Sequence, residues 1–188
     1  MALAYAERHL PRSPLLLFYG DDFADFIATF EPARDLAYLP DVIRLEAARG
    51  HAYHAADAVP LDPAALAQVP SDRLPDLVFS PHPSLSILSS IHPVATIWAM
   101  NGGGLEPGPI KPWTGETALV VRPRLLVDVL RLEPAEAAFL QALAGGATLG
   151  AAAEDASALR GFDLAAALVR LLQSGAFTAI RKDNTNGH

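Results

Sequence analysis

His51, His54 and Asp57 are the one group in this sequence with the spacing of metal ligands. Imidazoles and a carboxylate at i, i+3 and i+6 of a helix can hold a divalent ion and leave positions open for chemistry. On a helix running from Pro40 through Asp57, these three and Glu46 lie on the polar face, away from the apolar stripe. Such a face suits solvent or a partner protein equally well, and that is the reading taken. No catalytic residue, resident metal or cofactor is expected. Arg49 falls on the apolar side, where a buried guanidinium would need Asp35 or Glu46 beside it; the simpler reading is a packed stem whose head reaches water. His82 and His92 each precede proline, which imposes extended geometry and suits turns. Neither stands near a Gly-x-Ser-x-Gly or His-Glu-x-x-His pattern. Gly102-Gly103-Gly104 lacks the Gly-Lys-Ser/Thr that completes a phosphate loop, and reads as linker.

The elements that would position these residues follow from periodicity. Asp21 or Asp22 precedes a helix with Phe23, Phe26, Ile27 and Phe30 on one side. A second helix begins at Pro40, with Asp41 at the positive end of its dipole and a stripe of Val42, Leu45, Ala48, Ala52, Tyr53 and Ala56. Asp62-Pro63 opens a shorter helix reaching Val69. Leu77–Phe79 and Leu85–Leu88 read as two short strands of a hairpin around His82-Pro83, and Pro93 starts a helical turn ending at Trp98. Residues 101–115 are rich in Gly and Pro, which breaks both helices and central strands, so a domain boundary is placed there. Trp98 and Trp113 flank it and are read as packing residues.

Beyond the boundary, Thr117–Arg122 and Leu125–Leu132 form a β-rich pair around Pro123-Arg124. Three helices follow, over Pro134–Leu143, Leu149–Asp155 capped by Thr148, and Leu164–Ser174 capped by Asp163 with Gly175 as the terminating residue. Phe177–Ile180 can return as a strand. The expected fold class is α+β: a helix-rich domain over 1–100, a linker over 101–115, a winged-helix-like domain over 116–182 and a frayed tail over 183–188. The exposed edge of the hairpin can accept an extended peptide by strand addition, with Leu119, Val121, Val127 and Val129 as the alternating contact residues.

Half of the 188 residues are apolar, enough for a sizeable core. The absence of cysteine removes disulfides and thiolate chemistry and fits a reducing compartment. No apolar run is long enough to span a bilayer and the first residues lack signal-peptide character, so a cytoplasmic location is expected. The net charge is −7, with seven Lys/Arg against thirteen Asp/Glu over residues 1–115 and seven against eight over residues 116–188. Phosphate neutralisation dominates non-specific DNA affinity, and this balance opposes it. Leu164–Ser174, the helix that would read bases, contains Arg170 as its sole cation.

Two long strings are unusual: Tyr38–Asp57, containing Tyr38-Leu39-Pro40-Asp41-Val42 and Tyr53-His54-Ala55-Ala56-Asp57, and His82–Trp98, containing His82-Pro83-Ser84-Leu85 and Pro93-Val94-Ala95-Thr96-Ile97-Trp98. In this order they resemble the HvfC/BufC family, which has carried a DNA-binding label. The resemblance runs from about Leu3 to Ile180. It departs at Ala47–Arg49, where the family tends to place tryptophan, and at the start, where a longer helical region with a Tyr-Arg-Asn type motif is usual. The present chain therefore reads as N-terminally truncated. The resemblance implies a non-catalytic partner of multinuclear non-haem iron (MNIO) peptide-modifying enzymes, with a contact surface at Arg44, His51, His54 and Asp57. It also implies that the second domain receives a precursor peptide. Nucleic acid and membrane are not expected partners. A DNA-binding transcriptional regulator is the alternative from a different class.

Overall fold

The computed structural model describes residues 1–11 and 18–182; the tail expected over 183–188 lies outside them. Eight α-helices are described: α1 (Ala2–Arg8), α2 (Phe23–Ala28), α3 (Leu39–His54), α4 (Pro63–Ala67), α5 (Val94–Asn101), α6 (Pro134–Ala144), α7 (Leu149–Ser157) and α8 (Leu164–Ser174). Five strands join them: β1 (Leu77–Pro81), β2 (Ser86–Ser90), β3 (Glu116–Val121), β4 (Asp128–Leu132) and β5 (Phe177–Lys182). The chain is an α+β protein.

Helix starts follow the side chains available to cap them. Asp62 accepts from the Ala64 amide at 2.9 Å, Thr148 from Ala151 at 3.3 Å and Asp163 from Ala166 at 3.1 Å. Glu133 and Glu136 form a reciprocal capping box ahead of α6, with Pro134 in the first turn. At the other end of α8, Gly175 takes the left-handed conformation, φ +67°, that closes a helix.

The antiparallel sheet β2-β3-β4 is the middle layer. Alternation along β3 sends Ala118 and Val120 to one face, against Leu45, Ala48 and Ala52 of α3 and Ala95 of α5. Leu119 and Val121 go to the other, against Phe139, Leu140 and Leu143 of α6, Leu149 of α7 and Leu171 of α8. A strand covered on both faces carries a continuous apolar run, which is why Ala118–Val121 are all buried. The small second sheet, β1-β5, packs Leu77, Phe79 and Phe177 into the helical side of this core.

Three expectations change here. Leu77–Phe79 and the strand after His82 do not pair as a hairpin: β1 pairs with β5, in register Phe79↔Ile180, while β2 pairs with β3, in register Leu88↔Ala118. The segment 101–115 connects α5 to β3 without separating two cores, because strands from before and after it share both sheets. The hairpin and three helices do follow in the expected order, but their strand partners come from upstream: β2 extends the hairpin sheet, and Val78 of β1 bridges Thr148 between α6 and α7.

Candidate functional site

Arg122, at the end of β3, joins the two unusual strings. Its Nε donates to the Ala52 carbonyl at 2.9 Å and its Nη2 to Ala55 at 2.6 Å; Nη1 donates to Asp57 Oδ1 at 2.8 Å and to the Arg124 carbonyl at 3.0 Å. The guanidinium thus occupies the C-terminus of α3, where orphan carbonyls and the dipole favour a cation. The Arg122 amide donates to Ser84 Oγ at 2.7 Å, and the Ser84 hydroxyl lies 2.8 Å from His82 Nδ1. His82 Nδ1 also accepts from the Ser84 amide, so the ring proton sits on Nε2, which faces the Ala58 carbonyl at 3.2 Å. His82, Ser84 and Arg122 are all buried. The turn expected at His82-Pro83 is present, and its histidine pins the β1–β2 connection to the segment after α3.

Helix α3 stops at His54, because Ala55 is extended (φ −62°, ψ 158°). Asp57 and Ala56 therefore lie beyond the helix, and the helical face that would have grouped His51, His54 and Asp57 does not form. Among the described residues no group of His, Cys, Asp and Glu could hold a metal ion. Tyr53, placed on the apolar stripe from sequence, is exposed at the last turn. Asp57 is occupied by Arg122, and His54 stacks edge-on against exposed Tyr53.

Arg44 and His51 also have partners within the chain. Arg44 bridges Asp25 of α2 and Asp41 of α3, each at 2.7 Å. The bond to Asp25 raises its pKa against the opposing effect of burial, and Asp41 adds to the rise. His51 Nε2 meets Asp21 at 3.0 Å. Both contacts fasten α2 and the turn before it onto α3. Behind them is an aromatic nest: the Tyr5 ring of α1 lies 4.5 Å from His9, 5.1 Å from Phe23 and 5.5 Å from Phe26. Burial, then Asp22, pushes the Tyr5 phenol above its ordinary 10.0. Arg49 combines both sequence readings. Its guanidinium lies 4.9 Å from the Trp98 ring and bonds Glu46 at 2.7 Å, while Trp98 Nε1 donates to the other Glu46 oxygen at 2.8 Å.

The four proposed peptide contacts are not one exposed ribbon. Leu119 and Val121 are core residues of the central strand, and Val127 and Val129 pack on the opposite face toward α3 and α5. Since β3 is paired on both sides, the sheet's edge strands are β2 and β4, and of the hairpin only β4 offers an unpaired edge. Beside it, Leu130 and Leu132 line an apolar recess with Phe139 and Leu140 of α6 and Ala167 and Leu171 of α8. The Glu136–Arg170 ion pair, 3.1 Å, forms its rim, and Arg170 Nη2 reaches the Arg131 carbonyl at 3.4 Å. Arg131 itself pairs with Glu133 at 3.0 Å and Glu116 at 3.3 Å, and the Glu133 bond leads in raising its pKa.

Arg122 was missed from sequence, and the hairpin edge was assigned Leu119, Val121, Val127 and Val129 rather than Leu130 and Leu132. The signal for Arg122 was present: a lone cation closing the run Ala118–Val121, directly before Pro123. A charge ending a fully buried strand needs partners, and the carbonyls at a helix end supply them. The molecule so defined is a three-layer α+β protein whose edge strand β4 borders an apolar recess. No family model matches the chain, and no curated protein matches it.

Proposed function

We propose that this chain is a non-catalytic accessory subunit that binds an MNIO-type iron enzyme and its precursor peptide during ribosomal peptide modification in the cytoplasm. The observation that carries the reading is the open edge of β4 beside the Leu130–Leu132 recess. Such an edge offers main-chain hydrogen bonds to an extended segment, and exposed Leu130 at the mouth of the recess offers apolar contact to one of its side chains. The resemblance of Tyr38–Asp57 and His82–Trp98 to the HvfC/BufC family supplies the class of partner. The geometry of Arg122 adds support, since it fastens these two strings together as a folded unit rather than leaving their His, Ser and Asp side chains free.

In this reading the oxidative chemistry, typically on peptide cysteines, belongs to the iron ions of the partner. The present chain docks the enzyme and presents the peptide. A DNA-binding regulator would use α8 for base contacts, but Arg170, the sole cation of that helix, is engaged by Glu136 and the Arg131 carbonyl. Among the described residues no helix is long and apolar enough to cross a membrane. Co-expression with an MNIO enzyme encoded nearby, followed by size exclusion with mass detection, tests the proposal. A stoichiometric complex is expected; separate elution of the two proteins would overturn it.

A further inference from the structure

We infer that the β4 edge selects an extended basic segment in which an apolar residue and a Lys or Arg stand two residues apart. The inference rests on the peptide-binding part of the function proposed above and specifies the ligand. Alternation along β4 places Asp128, Leu130 and Leu132 on one face, the face that meets α6 and α8. A strand added beside β4 would set its residues opposite these, so side chains two apart would meet Leu130 and Asp128 together. The Leu130 position accepts an apolar group, being partly open over a floor of Phe139, Leu140 and Leu171.

The charges on the rim decide the second group. On this face Glu136 is held by Arg170, while Arg131 with Glu116 and Glu133 lies on the opposite face of β4. Exposed Asp128 is left with no ion-pair partner among the described residues. That carboxylate favours a cation opposite Asp128. An acidic segment would meet like charge at that position, a destabilising cross-strand pair. Arg170 lies across the open side, donating to the Arg131 carbonyl at a distance longer than an ordinary N–H···O bond. An incoming backbone amide would replace that weak donor, and Arg170 would keep its Glu136 partner.

Fluorescence anisotropy on the whole chain tests this with two threonine-rich peptides of about eight residues, long enough to span a strand. One carries Val and Lys two positions apart; the other has Glu in place of the Lys. At low salt the Lys peptide is expected to bind about fivefold more tightly, the size a cross-strand ion pair gives. Asp128→Lys is expected to invert that preference, an outcome that misfolding cannot imitate. Leu130→Lys is expected to weaken both peptides. Equal affinity for the two peptides, an unchanged preference in Asp128→Lys, or occupation of the edge by a second copy of the chain would overturn the inference. Such a failure alongside an intact complex with the iron enzyme would leave the accessory role standing. Inverted preference without that complex would instead retain the edge chemistry and remove the proposed partner.

Discussion

Arg122 directs four of its five N–H groups to acceptors in the last turn of α3, on the segment after it and on its own turn, and its amide completes the Ser84–His82 chain. Replacing it with Met leaves buried carbonyls unpaired, and urea unfolding should show a loss of about 2–4 kcal/mol. Arg122→Lys should recover little, because one ammonium cannot reproduce the planar fork that spans Ala52, Ala55 and Asp57. Asp57→Ala should cost less than about 1 kcal/mol, since its side chain is 92% exposed and the pair is solvent-screened. Equal losses for Arg122→Met and Asp57→Ala would mean that the ion pair, not the carbonyl contacts, holds the junction. At this scale the sequence identified the segments but not the bonds. Asp57 was grouped on one contact face with His51 and His54 because the helix was extended three residues past its true end at His54, where no Gly or Pro marks the stop. Arg44 and His51 looked like free surface because their partners, Asp25 and Asp21, lie on elements far away in sequence.

Element boundaries were more legible, because caps and apolar spacing are local. Asp62, Thr148 and Asp163 cap the helices expected of them, and Gly175 ends α8. That glycine has a second constraint: a Cβ built on it would lie 2.5 Å from the Pro123 side chain in the β3–β4 turn. Gly175→Ala should therefore lower stability by at least about 2 kcal/mol, combining the left-handed backbone penalty with displacement of the turn. A loss under about 1 kcal/mol would show that the turn moves freely away. The α1–α2 nest carries a pH dependence. A phenol whose folded pKa is raised contributes stability below the unfolded value of 10.0, lost as pH climbs through the folded pKa. Alkaline titration should detach α1 above pH 10, and Tyr5→Phe should remove that step; persistence of the step in Tyr5→Phe would assign it to another group. Strand pairing was the part sequence could not supply. Leu77–Phe79 and Ser86–Ser90 have the composition of strands, yet nothing local tells that one joins β5 and the other β3.

Across the whole molecule, that pairing decides how the chain behaves. Strands from before and after residues 101–115 share both sheets, so neither half holds a complete core. Denaturant transitions followed by Trp98 fluorescence in a Trp113→Phe background and by far-ultraviolet circular dichroism should coincide. Two separated transitions would indicate independent units on either side of the connection. The Gly/Pro content of 101–115 was a true signal of irregular chain, but composition reports only that a segment is neither helix nor strand. The same interleaving leaves β4 as an open edge set on a buried, two-faced sheet, a rigid platform for an added strand. The accessory-subunit account is tested most directly by mass spectrometry of the precursor peptide co-expressed with the iron enzyme, with and without this chain. The account predicts an oxidative mass change that appears only when the chain is present. The same modification in its absence, or none in its presence, would contradict it.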